Sequence, residues 1–149
     1  MSIKLLRKEQ WLALWCFSAS LLLSNCGGAG PECDSLDTRN SVVKIVSDDK
    51  NNALVNYAAK NSSSVAAMVG DVKSDTEKLA MWEKAKQGAI YKLDETILMN
   101  SRNRSAQKVT CSGLLSVTVA DTTAEKEVEF RVKQTVDGKI IVSVKPFLF

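Results

Sequence analysis

Four cysteines, at positions 16, 26, 33 and 111, have the widest chemical reach of any residues in this 149-residue chain. A thiol can serve as nucleophile, metal ligand, redox centre, acylation site or disulfide partner, and spacing narrows the choice. No pair has the C-x-x-C spacing of a redox centre. Histidine is absent altogether, which removes Ser-His-Asp and Cys-His triads, the commonest general base and the commonest metal ligand. Carboxylates adjoin at Asp48-Asp49 and Asp94-Glu95. A pair of acids can hydrolyse glycosides, but adjacent residues on a strand point to opposite faces, so Asp94 and Glu95 cannot share a substrate there. Gly27, Gly28 and Gly30 fall in a tether and form no phosphate-cradling loop. The expectation is a protein with no catalytic residue, no metal and no cofactor.

The address of the chain is written in its first thirty residues. Lys4, Arg7 and Lys8 precede a 14-residue stretch, Trp11 to Ser24, that carries no charge. Small and polar residues follow at 24 to 30. This is the layout of a secretory leader: basic start, short apolar middle, small-residue exit. As a helix the apolar stretch would span about 21 Å, short of the roughly 30 Å hydrocarbon core. Three of the 20 basic residues and one of the 17 acidic ones lie in the first 25, so the formal charge of +3 falls to +1 without them. Nucleic-acid binding, which needs a basic stripe or patch, is therefore not expected.

Leu23-Ser24-Asn25-Cys26 resembles the lipobox of bacterial lipoproteins. The resemblance covers about thirty residues, and Asn25 stands where the family prefers Gly, Ala or Ser. It implies a signal peptide over 1–25, cleavage before Cys26, and acylation of that cysteine. Several acyl chains, at about 0.8 kcal/mol for each buried methylene, give stable anchoring. Gly27, where inner-membrane retention usually needs Asp, implies the outer membrane. A competing reading cleaves after Ala29 and releases a soluble periplasmic or secreted protein.

With Cys16 removed in the leader and Cys26 acylated, Cys33 and Cys111 remain. An even pair in an exported, oxidising compartment implies one disulfide between them. Without histidine the pair is a poor metal set.

The elements must bring those two cysteines together. A tether over 26–32 leads into a single domain over 33–149. Asp34 or Ser35 can cap a helix carrying Leu36, Val43 and Val46. A second helix is expected over 53–60, then a loop at 61–64 and an apolar piece, 65–69, of undetermined type. Ser74-Asp75-Thr76-Glu77 fits a capping box opening a helix over 75–87, with Leu79, Trp82 and Lys86 on one side. After Gly88 the period becomes two. Strands are expected over 90–99, over 109–119 with Val109, Cys111, Gly113, Leu115, Val117 and Val119 on one face, and around Val128, Phe130, Val132 and Val136. Asp137-Gly138 predicts a hairpin leading to a fourth strand with Ile140, Val142 and Val144 inward. The predicted fold is α+β, with N-terminal helices packed on one face of a four-stranded antiparallel meander. Cys111 then faces the helix layer, where Cys33 can meet it.

The loop 100–105, SRNRSA, places Arg102 and Arg104 as candidates for an anionic partner such as lipid headgroups or glycan. Trp82 and the apolar ending Pro146-Phe147-Leu148-Phe149 are candidates for protein contact. The layout is similar to small lipoproteins of proteobacteria and their mobile elements. That similarity implies a membrane-anchored envelope lipoprotein, a non-enzymatic binding or accessory module. Its expected partners are membrane lipid through acylated Cys26 and an envelope protein. The alternative is a soluble periplasmic ligand-binding or inhibitor protein.

Overall fold

The computed structural model describes residues 30–50 and 52–145. Four helices precede four strands: α1 (Leu36–Asp48), α2 (Ala53–Asn61), α3 (Ser63–Gly70), α4 (Asp75–Gln87), then β1 (Ile90–Asn103), β2 (Lys108–Val119), β3 (Thr122–Gln134) and β4 (Ile140–Val144). The strands form one antiparallel meander in the order β1-β2-β3-β4. The fold is α+β, with helices against the sheet. No described helix is long and apolar enough to cross a membrane.

Burial explains the sheet. All six inward residues of β2, from Val109 to Val119, are buried, as are Ala124, Val128, Phe130 and Val132 of β3. Both strands alternate with period two, so one face is apolar and must be covered. Helix α2 covers the central strands with Leu54, Val55, Ala58 and Ala59, while α1 touches both edge strands, β1 and β4. The sheet therefore wraps its edges toward α1, whose Val42 and Val46 fill the interior.

The helix starts are set by local side chains. The Ser35 hydroxyl accepts from the Thr38 amide at 3.2 Å, and buried Thr38 donates to the Glu32 carbonyl at 3.0 Å. Asn52, also buried, joins two helices. Its oxygen accepts from the Leu54 amide at 2.9 Å, and its amide nitrogen donates to the Val46 carbonyl at 3.1 Å. That satisfies orphan groups at the end of α1 and the start of α2 together.

Several expectations need correction. The segment 61–64 is no loop: Ser62 caps α3 by accepting from the Val65 amide at 3.1 Å, and helix resumes at Ser63. The untyped piece 65–69 lies within α3. At α4 the Ser74 side chain makes no capping bond. The helix instead has acids in its first turn (Asp75, Glu77) and lysines in its last (Lys84, Lys86), which suit the helix dipole. Strand β1 runs on to Asn103, through the first part of SRNRSA, and only 104–107 turn. Strand β3 begins at Thr122, and Val136 lies in the hairpin turn, fully exposed. Ile140, expected inward, is partly exposed at the hairpin mouth.

Strand β1 carries an irregularity between Leu93 and Ile97, opposite Gly113. A Cβ on Gly113 would come within 3.2 Å of a Leu93 methyl, so the glycine lets the bulged strand close down. Arg39 of α1 holds the bulge, donating to the carbonyls of Asp94 at 2.9 Å and Glu95 at 2.6 Å while pairing with Asp34 at 2.5 Å.

Candidate functional site

A meander sends alternate turns to opposite ends of its sheet. The 104–107 turn and the Thr135–Lys139 turn share one end, where the Gln134 amide donates to the Gln107 carbonyl at 2.9 Å. The tether arrives at this same end. Gly30 lies beside Gln107, and Pro31 is buried. Two residues on, Cys33 meets Cys111 with Cα atoms 5.8 Å apart and sulfurs at bonding distance, 2.09 Å. Both cysteines are buried, and Cys111 stands on the inward face of β2 as its period required. Cys26 lies outside the described residues, as do Cys16 and the final Pro146–Phe149 segment.

At the tether end Gly30 and Pro31, Arg102, Arg104 and Lys108 line a cleft of about 230 Å³. The two arginines singled out in the sequence are thus brought together with a lysine and with the point where the chain enters. Asp137 shares this end, and its carboxyl is held below the usual range by the Thr135 hydroxyl and by turn amides.

The opposite end is built differently. In the two-residue connection between β2 and β3, Ala120 takes a left-handed φ of 52°. Asp121 accepts hydrogen bonds from the Ser62 and Ser63 hydroxyls and from the Ser64 amide, the last at 3.3 Å. Those donors, the two hydroxyls first, hold its carboxyl well below the usual carboxylate range. Helix α3 begins at this end and α4 finishes at it. A second cleft, about 270 Å³, lies between them and is lined by Val65, Val69, Lys78 and Trp82 among others. Trp82 is half-buried there. Leu79, expected beside it, is 63% exposed, and α4 has no buried residue.

The paired carboxylates do not converge. Asp94 and Glu95 sit on the β1 bulge and contribute their carbonyls, not their carboxyls, to Arg39. Asp48 pairs with Lys44 at 2.8 Å, and that contact raises the lysine's pKa. Across from them Tyr91 is pushed above its ordinary value, by burial first and by Asp49 second. The ridge Glu127, Glu129, Arg131 and Lys133 lies on the outer sheet face, where Glu129 meets Lys145 at 3.3 Å. Among the described residues, no group of three or more Cys, Asp or Glu is arranged to hold a metal ion.

No family model, curated protein or solved structure matches this chain.

Signals for what sequence reasoning missed were partly present. Ser62-Ser63-Ser64 before an apolar run is a helix-start signature. The Asp121 clamp that uses it bridges residues 57 to 59 positions apart, and no local pattern announces that.

Proposed function

We propose that this chain is a membrane-anchored envelope lipoprotein that works as a non-enzymatic protein-binding or accessory module. The supporting observation is the coupling of Cys33 to Cys111 only seven residues beyond the lipobox-like Cys26. A domain locked covalently to its own entry point suits a chain held from that point. The tether enters at one end of the sheet, and the α3–α4 cleft with Trp82 lies toward the other. An anchor at Cys26 would therefore present that cleft away from the bilayer. The acids nearest to chemistry are occupied elsewhere: Asp121 by serine donors and Asp48 by Lys44.

The deciding experiment is the intact mass of the mature chain from detergent-solubilised membranes, before and after reduction. The expected result is a chain starting at Cys26 with acyl chains attached, gaining two hydrogens on reduction. Cys26→Ala should then remove the acyl mass and abolish processing before residue 26. An unmodified mature chain beginning at Gly30 would overturn the anchor and leave the released periplasmic protein as the reading.

A further inference from the structure

The tether end gathers three cations, Arg102, Arg104 and Lys108, around one cleft. Arg39, Lys44, Lys78, Lys86 and Lys145 each have a carboxylate partner within 4 Å. Among the described residues Arg102, Arg104, Lys108 and Lys133 make no ion pair. Lys108 and Lys133 are moreover direct cross-strand partners. Like charges facing each other across an antiparallel pair are unfavourable, so Lys108 gains from an anion held beside it in the cleft. Guanidinium groups match phosphate oxygens in planar, bidentate geometry, and lysine adds a point charge.

Position supplies the identity of the anion. Gly30 lines the same cleft as Arg102, Arg104 and Lys108. Three residues lie between it and Cys26, and the four steps fully extended reach at most about 14 Å. A lipid-anchored Cys26 therefore holds this cleft within one or two Debye lengths of the bilayer surface, each about 8 Å at physiological salt. We propose that the Arg102–Arg104–Lys108 cleft is the membrane-facing contact of the domain and takes the phosphates of anionic phospholipid headgroups. The inference rests on the lipid anchor proposed above. It adds an orientation: the tether end lies against the bilayer, and the Asp121 end points away.

The Arg104–Ser105 bond, in the exposed turn of the cleft, reports on this contact because trypsin can cut there. The mature full chain is reconstituted into vesicles of phosphatidylethanolamine alone, or with a third phosphatidylglycerol. Each basic residue close to an anionic surface contributes about fivefold in association, so phosphatidylglycerol should slow cutting at Arg104 at least fivefold. About 0.5 M salt, which shortens the Debye length toward 3 Å, should restore it. Arg102→Gln with Lys108→Gln should abolish the protection while the chain stays on the vesicles. Lys60→Gln with Lys78→Gln, an equal charge loss beside the other cleft, should leave it intact. Equal cutting on both vesicles overturns the proposal, as does loss of protection in the Lys60/Lys78 control. Equal protection by millimolar inorganic phosphate, without phosphatidylglycerol, overturns the lipid as the source. The intact mass judges the anchor separately: a chain without acyl groups refutes the anchor, whereas an acylated chain without protection refutes the cleft.

Discussion

The two ends of the sheet are fastened by different chemistry. At the tether end a covalent bond joins Cys33 to Cys111, and among the described residues the two turns make no hydrogen bond to a helix. The far end has no disulfide among the described residues. There Asp121 collects the serine donors at the start of α3, Thr122 donates to the Asn61 carbonyl at 3.3 Å, and buried Asn52 holds α1 to α2. The first kind of fastening works chiefly on the unfolded chain, by shortening it. The second works only in the native state, by satisfying polar groups that folding would otherwise strand. One end is thus sensitive to reductant and the other to acid.

That contrast can be broken in order of size. Replacing both Cys33 and Cys111 by alanine opens a loop of 78 residues. In the chain-entropy picture this costs about 4 kcal/mol, measured as a lower urea midpoint. Reduction of the wild-type chain should give a similar loss, and a loss below about 1 kcal/mol would mean the covalent fastening contributes little. At the far end Asn52→Ala removes the cap of α2 and one of the two donors to the Val46 carbonyl, leaving it the Asp49 amide at 3.4 Å. A cost of about 2 kcal/mol is expected, unchanged by reductant. Ala120→Gly should go the other way. A left-handed conformation disfavours a Cβ by about 1–2 kcal/mol, partly offset by the backbone entropy of glycine, so a gain of about 0.5–1 kcal/mol should appear in thermal melts.

The smallest expected effect sharpens the contrast most. Asp121 has a folded pKa below its unfolded value, so its contribution is fully present above about pH 4 and fades as pH falls through the folded value. The wild-type melting temperature should therefore approach that of Asp121→Asn as acid is added below pH about 4. The Cys33/Cys111 variant should keep a constant offset from wild type over the same window. A parallel pH profile for Asp121→Asn and wild type would remove the acid-sensitive fastening from the account.

How much of this was legible depends on where the partner atoms lie. The inward face of β2 and the Asp137-Gly138 hairpin could be read because period and turn residues are local; Gly138 does take a positive φ, 82°. The cysteine pair followed from setting aside Cys16 in the leader and Cys26 as the acylation site, and the place of Cys111 on that face agreed with it. The end of β1 was lost because Ser101, Arg102 and Asn103 pair through backbone groups, so their polar side chains say nothing about the strand. The start of β3 was lost for a related reason. Its turn contains Ala120 and Asp121 rather than a glycine, and the strand holds there because Asp121 is clamped from α3. Arg39 is the clearest case: its distant partners are two carbonyls exposed by a bulge, and carbonyls have no letter in a sequence. Of the candidate site, the arginines could be named in advance, whereas their meeting with Gly30 and Lys108 required the register of β1 on β2.

The disulfide also has a mechanical meaning. Tension applied along the N-terminal segment reaches Cys33 and passes through the sulfur bridge into β2, which is hydrogen-bonded to a neighbour on each side. The helices lie inside the closed interval between residues 33 and 111 and are bypassed by the load. A chain pulled between its two ends can therefore pay out only what lies outside that interval, β3 and β4 above all. Under strain the helical layer is slack by construction, and the length the protein can yield is capped by where one bond is placed.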